Sequence, residues 1–239
     1  MKHIKMELYN GDCLKFLDDL ISNSRKVDCI ITDPPYGMEF RSSHRKKRYD
    51  VIKNDDNLDW LDEFVEKSYM LLKDNSHAYF FCSWHKVDVF KQALEKKFTV
   101  KNVLIWEKNN TGMGDLFGDY APKYEMILFC TKGKRKLNGN RDSNMLRFAR
   151  TNNVCHPTQK PVDLIRYLIE KSTNKNDIVG DFFFGSGTTG VASLQSNRSF
   201  IGAEIEKTHF DTGVKRIKDA HTSMGFFKDK EMEIKIKKE

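Results

Sequence analysis

The sequence predicts a single α/β domain in which strands and helices alternate. Short apolar runs rich in β-branched or aromatic residues are separated by segments whose apolar residues recur at helical spacing. The run from Asp177 to Ile205 predicts a buried strand, a glycine turn, a helix and a second strand with an acid near its end. A chain of 239 residues, 39% of them hydrophobic, can bury one sizeable core without splitting into two.

Each element follows from its local pattern. Strands are predicted at Met6–Tyr9, Val27–Ile31, Ala78–Cys82, Val103–Trp106, Met126–Phe129, Asp177–Asp181 and Phe200–Ile205, where apolar residues are continuous. Helices are predicted at Cys13–Leu20, Leu58–Leu72, Val87–Leu94, Val162–Lys171, Gly190–Leu194 and Thr208–Ala220, where apolar residues are spaced. The tail from Lys228 alternates charged residues, which is typical of a solvated end or an edge strand.

The segment Ile30–Gly37 is the most informative stretch. Its apolar residues predict a buried strand, which must end at Pro34 and Pro35 because neither carries a backbone N–H. Asp33 and the carbonyl of Pro34 are then hydrogen-bond acceptors beside the aromatic ring of Tyr36, a set suited to a planar group that carries an NH2. Taken alone, a strand followed by a proline turn with a capping Asp is the simpler interpretation.

Composition limits the classes of function. The start of the chain lacks the apolar region of a signal peptide and no later stretch is long and apolar enough to span a membrane, which predicts a cytoplasmic protein. The five cysteines are widely spaced, without a Cys-x-x-Cys pair, and are interpreted as free thiols. A net charge of +7 and a pI of 9.0 fit a polyanionic partner, although such values are common in proteins without one.

Positive charge is concentrated in two polar regions, residues 38–56 and 131–152. The first carries Arg41, Arg45, Lys46, Lys47 and Arg48. The second carries Lys134, Arg135, Lys136, Arg141 and Arg147. The first region, which directly follows the Asp-Pro-Pro-Tyr turn, is predicted to be a mobile arm that closes on phosphates. The alternative is that both regions are solvated surface loops.

The glycine turn at Gly185-Ser186-Gly187 is a sequence pattern shared by many nucleotide sites, so by itself it is a weak signal. Glycines let a backbone approach a ligand, and an acid at a strand end, here Glu204, can hold ribose hydroxyls. The turn lacks both the Gly-Lys-Ser/Thr of a Walker loop and the third glycine of the dinucleotide pattern. A ligand without a diphosphate is therefore favoured.

Three motifs together resemble a known family. Asp33-Pro34-Pro35-Tyr36, His156-Pro157-Thr158-Gln159-Lys160-Pro161 and Asp181-x-Phe183-x-Gly185-Ser186-Gly187-Thr188-Thr189 resemble the DNA amino-methyltransferases that use S-adenosylmethionine, and their order resembles the beta group. The resemblance implies a Rossmann-like methyltransferase fold: a seven-stranded, mostly parallel sheet with helices on both faces and a permuted motif order. One methyltransferase domain would cover residues 1–239, with basic DNA-contacting insertions at 38–56 and 131–152.

The resemblance also implies roles for individual residues. The catalytic set is Asp33, Pro34, Pro35 and Tyr36. The cofactor set is Asp12, His156, Thr158, Lys160, Asp181, Phe183, Gly185, Ser186, Gly187, Thr188 and Glu204. Within it, Asp12 would contact the adenine of the cofactor, Phe183 would pack on the ligand, Glu204 would bind the ribose, and His156, Thr158 and Lys160 would face the methionine carboxylate. The chain departs from the family at Gly180 and Phe182, where a branched apolar residue and a proline are usual.

The implied reaction is methyl transfer to the exocyclic amine of a flipped base in double-stranded DNA. The amine lone pair is delocalised into the ring, so hydrogen bonds to Asp33 and the Pro34 carbonyl would localise it, and Tyr36 would stack on the base. No metal is required. Asp before Pro-Pro favours N6 of adenine over N4 of cytosine.

Three other interpretations stay open beside adenine methylation. They are N4-cytosine methylation, RNA or protein-glutamine methylation, and a DNA-binding protein with a decayed active site. The second basic region falls where the family keeps its recognition region, so its arginines would reach base edges. The sequence leaves open a homodimer, a cognate restriction endonuclease and the recognition sequence.

Overall fold

The computed structural model describes residues 3–37, 57–112, 117–150, 159–224 and 231–239. The strands are β1 (Ile4–Asn10), β2 (Val27–Thr32), β3 (Leu72–Cys82), β4 (Thr99–Glu107), β5 (Tyr124–Lys132), β6 (Met145–Arg147), β7 (Ile178–Asp181), β8 (Ser199–Glu204) and β9 (Met232–Lys238). The helices are α1 (Cys13–Ser22), α2 (Leu61–Leu71), α3 (Val87–Glu95), α4 (Val162–Ser172), α5 (Thr188–Gln195) and α6 (Lys207–Ser223). Each predicted helix and strand is present, with ends shifted by a few residues.

The nine strands of the described residues form one sheet in the order β6-β4-β5-β3-β2-β7-β8-β1-β9. Among these described strands, β5 is antiparallel to both neighbours and the other pairs are parallel, so the predicted mostly parallel α/β sheet is confirmed. The expected count of seven is too low because a strand is added at each edge. β9 comes from the charged tail, whereas β6 is a three-residue strand in a region with almost no apolar signal.

Helices cover both faces of the sheet, as predicted. One core cluster joins α1, α2 and α3 to one face through buried residues such as Phe16, Phe64 and Phe90. A second cluster joins α4, α5 and α6 to the other face through residues such as Ile165 and Phe210. The central strand β2 is buried along its whole length, so it supplies side chains to both clusters.

The chain reverses its direction across the sheet between β2 and β7. From β2 it continues to β3 on one side, and from β7 it continues to β8 on the other side. In open α/β sheets, ligands bind outside the carboxyl ends of the strands at such a switch point. Asp33 lies directly after β2 and the glycine turn lies directly after β7, so the fold brings both motifs to this point.

In the described part of the chain, no helix has both the length and the apolar content needed to cross a membrane.

Candidate active site

Asp33 lies at the carboxyl end of β2 with both carboxylate oxygens engaged. The hydroxyl of Tyr36 donates to Oδ1, and the ammonium of Lys160 contacts Oδ2. Burial and the neighbouring Asp33 carboxylate raise the pKa of the Tyr36 phenol well above its usual value, so this hydroxyl remains a donor. The Tyr36 ring packs edge-on against Phe90 at a centroid distance of 6.3 Å. The turn therefore holds the Asp33 side chain in a defined orientation.

Lys160 lies between two carboxylates. Its ammonium contacts Asp33 and is 3.1 Å from Oε2 of Glu125, and Oε1 of Glu125 is in turn 2.8 Å from the ammonium of Lys108. Burial by itself lowers the pKa of Lys160, but the charges of Asp33 and Glu125 outweigh it and the net shift is upward. Lys160 was expected from the resemblance to face a cofactor carboxylate, whereas Glu125 and Lys108 belong to none of the sequence motifs.

Asp181, the last residue of β7, connects the strand before Asp33 to the glycine turn through hydrogen bonds. Its Oδ1 accepts a 2.8 Å hydrogen bond from the hydroxyl of Thr32, the last residue of β2, and a 3.2 Å bond from the N–H of Phe183. Burial raises the pKa of this carboxyl to about 7, although hydrogen bonds from Thr189 and Thr32 oppose the shift. Sequence reasoning identified Asp181 but not its partner Thr32.

The glycine turn needs two residues without a Cβ. Gly185 and Gly187 have φ angles of 51° and 80°, in the left-handed region that favours glycine. A Cβ on Gly187 would lie 2.8 Å from Cα of Gly213 in α6, whereas a Cβ on Gly185 would meet no atom of the described residues within 4 Å. The turn is therefore packed tightly against α6 on one side and open to a ligand at Gly185.

Arg216, which sequence reasoning did not select, fixes the other polar groups of the turn. Its Nη1 donates to the carbonyl of Ser186 at 2.5 Å, to Oγ of Ser186 at 2.9 Å and to Oγ1 of Thr188 at 3.3 Å. Ser186 and Thr188 are themselves buried. Both hydroxyls were predicted to bind a cofactor, and the structure places them in contact with this guanidinium.

Glu204 is the last residue of β8, and its carboxylate contacts the glycine turn at Gly185. Its Oε2 accepts from the N–H of Gly185 at 2.9 Å and its Oε1 accepts from the N–H of Glu206 at 2.8 Å. Burial raises the pKa of this carboxyl. The carboxylate therefore braces the glycine turn, and its predicted bond to ribose stays a prediction.

Asp12 caps α1 at the carboxyl end of β1. Its Oδ1 accepts hydrogen bonds from the N–H groups of Leu14 at 2.8 Å and Lys15 at 3.3 Å. These contacts explain the residue as a helix cap. Its predicted contact with adenine stays a prediction.

Phe183 is half-buried, and its ring packs against two other aromatic side chains. Its ring centroid is 5.4 Å from that of Trp60 and 5.1 Å from that of Phe64. Trp60 was not selected from the sequence because it falls within the predicted helix Leu58–Leu72, where its spacing is that of an ordinary core residue. Phe183, two residues before Gly185, therefore forms an apolar pair with Trp60.

The predicted DNA-contacting residues fall at different ends of the sheet. Arg147 ends β6 in register with Glu107 of β4, on the same edge as Asp33, and its side chain is 82% exposed. Arg141 is exposed in the segment before β6. In contrast, Lys134, Arg135 and Lys136 follow β5 at the opposite end of the sheet, where the N–H of Lys134 donates to Asn75 at 2.9 Å. Their contact with DNA stays a prediction that this placement does not favour.

Several predicted site residues lie outside the described residues. They are His156 and Thr158 of the cofactor set, and Arg41, Arg45, Lys46, Lys47 and Arg48 of the first basic region.

The fold and the site define a class. A mostly parallel sheet whose switch point brings an Asp-Pro-Pro-Tyr turn against a glycine turn is the architecture of a Rossmann-like methyltransferase. The family model for N6/N4-type DNA methylases matches residues 27–215, and the chain belongs to this family.

Individual relatives cover most of the chain. The type II methyltransferase M.HpaI of Haemophilus parainfluenzae is 31% identical over 235 residues, which are 87% of this chain and 72% of that protein. The DNA adenine methyltransferase YhdJ of Escherichia coli is 28% identical over 250 residues, 88% of this chain and 82% of YhdJ. The crystal structure of the M1.HpyAVI–SAM complex is similar with a TM-score of 0.71 and 33% identity, covering 88% of this chain and 99% of that one.

Proposed function

We propose that this protein transfers a methyl group from S-adenosylmethionine to the N6 amine of an adenine in double-stranded DNA. The observation that carries the proposal is the hydrogen bond between Thr32 and Asp181, which joins the strand bearing Asp33 to the strand bearing the glycine turn. A methyl donor held at the turn and an amine held at Asp33 would therefore lie on adjacent strands.

The residues at the turn fit a nucleoside-bearing cofactor. The open space beside Gly185 admits a ligand, the Glu204 carboxylate lies at its edge, and Phe183 with Trp60 supplies an apolar face. When bound, S-adenosylmethionine supplies an electrophilic methyl group on a sulfonium. Lys160 contacts Asp33 and lies near Glu125, and its ammonium is also the counter-charge proposed for a cofactor carboxylate.

Asp33 and the carbonyl of Pro34 would accept the two N–H bonds of the target amine. An amine that donates both protons to fixed acceptors is driven from planar towards tetrahedral geometry, which returns its lone pair to nitrogen. Tyr36 stays anchored through its hydroxyl on Asp33 while its ring is available to stack on the flipped base. The proton that leaves the methylated amine would pass to Oδ of Asp33 and then to solvent.

Adenine is the proposed base for two reasons. YhdJ, a relative that aligns over most of the chain, is named as a DNA adenine methyltransferase. Asp before Pro-Pro is also the residue that the resemblance associates with adenine. A homodimer and a cognate restriction endonuclease remain predictions.

The proposal is tested with the purified protein, labelled S-adenosylmethionine and a pool of duplex DNA, followed by analysis of the released nucleosides. We expect N6-methyladenine, and we expect Asp33→Ala to slow its formation by about 10²-fold or more while calorimetry shows retained cofactor binding. The matched control is Asp62→Ala, which removes an exposed carboxylate paired with Lys96. N4-methylcytosine, a methyl group only in RNA or protein, or an unaffected Asp33→Ala variant would each contradict the proposal.

A further inference from the structure

Four charged side chains form a continuous row along the carboxyl edge of the sheet. Lys108 follows β4, Glu125 lies in β5, Lys160 precedes α4 and Asp33 follows β2. Neighbours in the row are in direct contact, at 2.8 Å from Lys108 to Glu125 and 3.1 Å from Glu125 to Lys160. Two acids alternate with two bases, so the row is neutral as a whole.

Glu125 is held in place by the sheet and not by a flexible loop. It is in β-sheet register with Trp106 of β4, and its side chain is 26% exposed. Lys160 is buried more deeply, with 11% of its side chain exposed, and its ammonium lies 5.0 Å from the centre of the Phe81 ring. A lysine so placed needs anionic partners, because an unpaired buried charge is costly.

The two donors on Asp33 come from different elements. Tyr36 belongs to the same turn as Asp33, whereas Lys160 reaches it from the segment before α4. The torsion that rotates a carboxylate is broad and weakly restricted, so one donor on each oxygen is what defines its plane. The position of the Lys160 ammonium therefore matters for the direction in which Asp33 presents its remaining lone pairs.

We propose that Glu125, backed by Lys108, is a positioning residue that holds the Lys160 ammonium on Asp33 and thereby orients the Asp33 carboxylate towards the target amine. This inference rests on the proposed function for its effect on turnover. In this proposal β5 contributes to methyl transfer through Glu125, although Glu125 contacts neither the cofactor nor the target base. A small displacement of a hydrogen-bond acceptor lowers the rate of the reaction far more than it lowers the affinity for the substrate.

The charge environment of Lys160 agrees with this role. Asp33 and Glu125 raise its pKa, Lys108 adds a positive charge beyond Glu125, and the Tyr36 hydroxyl bonds the far side of Asp33. The pKa of Glu125 is lowered, because Lys160 and Lys108 outweigh the opposing effect of burial. Glu125→Gln keeps the shape of the side chain but leaves two ammonium groups facing a neutral amide.

A double-mutant cycle tests whether Glu125 acts through Lys160. We expect Glu125→Gln to lower kcat by about tenfold or more at saturating S-adenosylmethionine, with a smaller change in cofactor affinity. Glu125→Gln combined with Lys160→Met should be no slower than Lys160→Met alone, because the two residues act as one unit. Losses that multiply, or a loss of cofactor affinity with unchanged kcat, would overturn the inference.

Glu7→Gln is the matched control. Glu7 is a buried strand acid that also lies between two cations, Arg25 at 3.1 Å and Lys237 at 3.2 Å, but its partners do not reach Asp33. We expect this variant to keep its kcat. Thermal unfolding of each variant separates loss of turnover from loss of fold.

A chemical readout is independent of activity. Reductive methylation requires a neutral, accessible amine, so Lys160 of the cofactor-free protein should react slowly, as followed by mass spectrometry of its peptide. We expect Glu125→Gln to speed this labelling several-fold and Glu7→Gln to leave it unchanged. If the wild type transfers no methyl group to DNA, the proposed function fails while this labelling still tests the contact. Equal labelling in wild type and Glu125→Gln would overturn the positioning role itself.

Discussion

The hydroxyl of Thr32 donates a 2.8 Å hydrogen bond to Oδ1 of Asp181, and both residues end neighbouring central strands. This bond lies at the point where the chain reverses its direction across the sheet. The residues that follow are Asp33 on one strand and the glycine turn on the other. A buried carboxyl therefore joins the strand that leads to Asp33 to the strand that leads to the glycine turn.

The raised pKa of Asp181 predicts how stability depends on pH. Its folded pKa is about 7 against an ordinary value of 3.8, so between these values the folded protein keeps a proton that the unfolded chain releases. The contribution of Asp181 to the free energy of unfolding is therefore largest below pH 3.8. It falls as the pH rises from 3.8 to about 7, and it does not change further above that pH. Asp181→Asn should lack this fall.

The measurement is urea unfolding of wild type and Asp181→Asn at several pH values from about 5 to 8. The variant should gain stability relative to wild type as pH rises. Asp62→Asn, at an exposed position, controls for the loss of a carboxyl. Parallel pH curves for wild type and Asp181→Asn would show that Asp181 does not titrate in this range.

The family departure at Gly180 and Phe182 has a packing explanation. A Cβ on Gly180 would lie 3.2 Å from Cζ of Phe182, whose ring is buried beside Phe64. The ring thus occupies the space that a branched residue at position 180 would need. Gly180→Val should destabilise the protein by about 1–3 kcal/mol through overpacking.

A double-mutant cycle in denaturant checks this pairing. Phe182→Ala alone should cost about 3–5 kcal/mol because it leaves a cavity. Adding Gly180→Val to that variant should cost nothing further or restore stability, since valine then fills part of the space. Additive losses would mean that the two positions are independent.

The sequence predicts those parts of the site that local chemistry defines. Pro34 and Pro35 had to end a strand, and Gly185 and Gly187 had to form a turn, so their placement follows from residue type alone. Thr32, Glu125 and Arg216 were not predicted, because each has the sequence pattern of an ordinary strand or helix residue. Their partners lie in distant segments that only the fold brings close.

The edge strand β6 was missed in the fold prediction for a similar reason. β6 has one buried side chain, Leu146, and exists because its backbone pairs with β4. Three residues with one apolar side chain inward carry too little periodicity to be recognised. For the tail the sequence left open a solvated end or an edge strand, and β9 is an edge strand that pairs with β1 along its whole length while its side chains remain largely exposed.

Glu204→Ala should weaken binding of S-adenosylmethionine. The carboxylate braces the turn through the N–H groups of Gly185 and Glu206, and it is also the proposed ribose acceptor. A hydrogen bond to a charged group is worth roughly 1.5–3 kcal/mol, which corresponds to a loss of about tenfold to a hundredfold in affinity. Calorimetry with Glu206→Ala as control measures the effect, and unchanged affinity in a folded Glu204→Ala variant would remove the residue from the site.

Neutralising Arg45, Lys46 and Arg48 together should weaken binding to all DNA sequences alike. These residues lie in the basic region that follows the Asp-Pro-Pro-Tyr turn in the sequence, and a dense run of like charge is suited to phosphate binding. The slope of log affinity against log salt should become shallower by roughly one unit for each phosphate that is no longer neutralised. A variant that keeps its salt slope but shifts its site preference would reverse this assignment.

Arg147→Gln should instead change which DNA sites are methylated. Arg147 lies on the same sheet edge as Asp33, its side chain is 82% exposed, and Glu107 holds its Nε at 2.9 Å, so the guanidinium is both accessible and oriented. An oriented guanidinium can donate to the acceptors on a guanine edge, and removing such a hydrogen-bonded pair costs about 1–3 kcal/mol at one position of the site.

Sequencing of methylated positions, beside DNA affinity against salt, measures both effects. Arg166→Gln, which removes a partly exposed arginine of α4 paired with Asp163, is the matched control. If Arg147→Gln only flattens the salt slope and leaves the methylated sites unchanged, Arg147 binds phosphate and sequence is read by other residues.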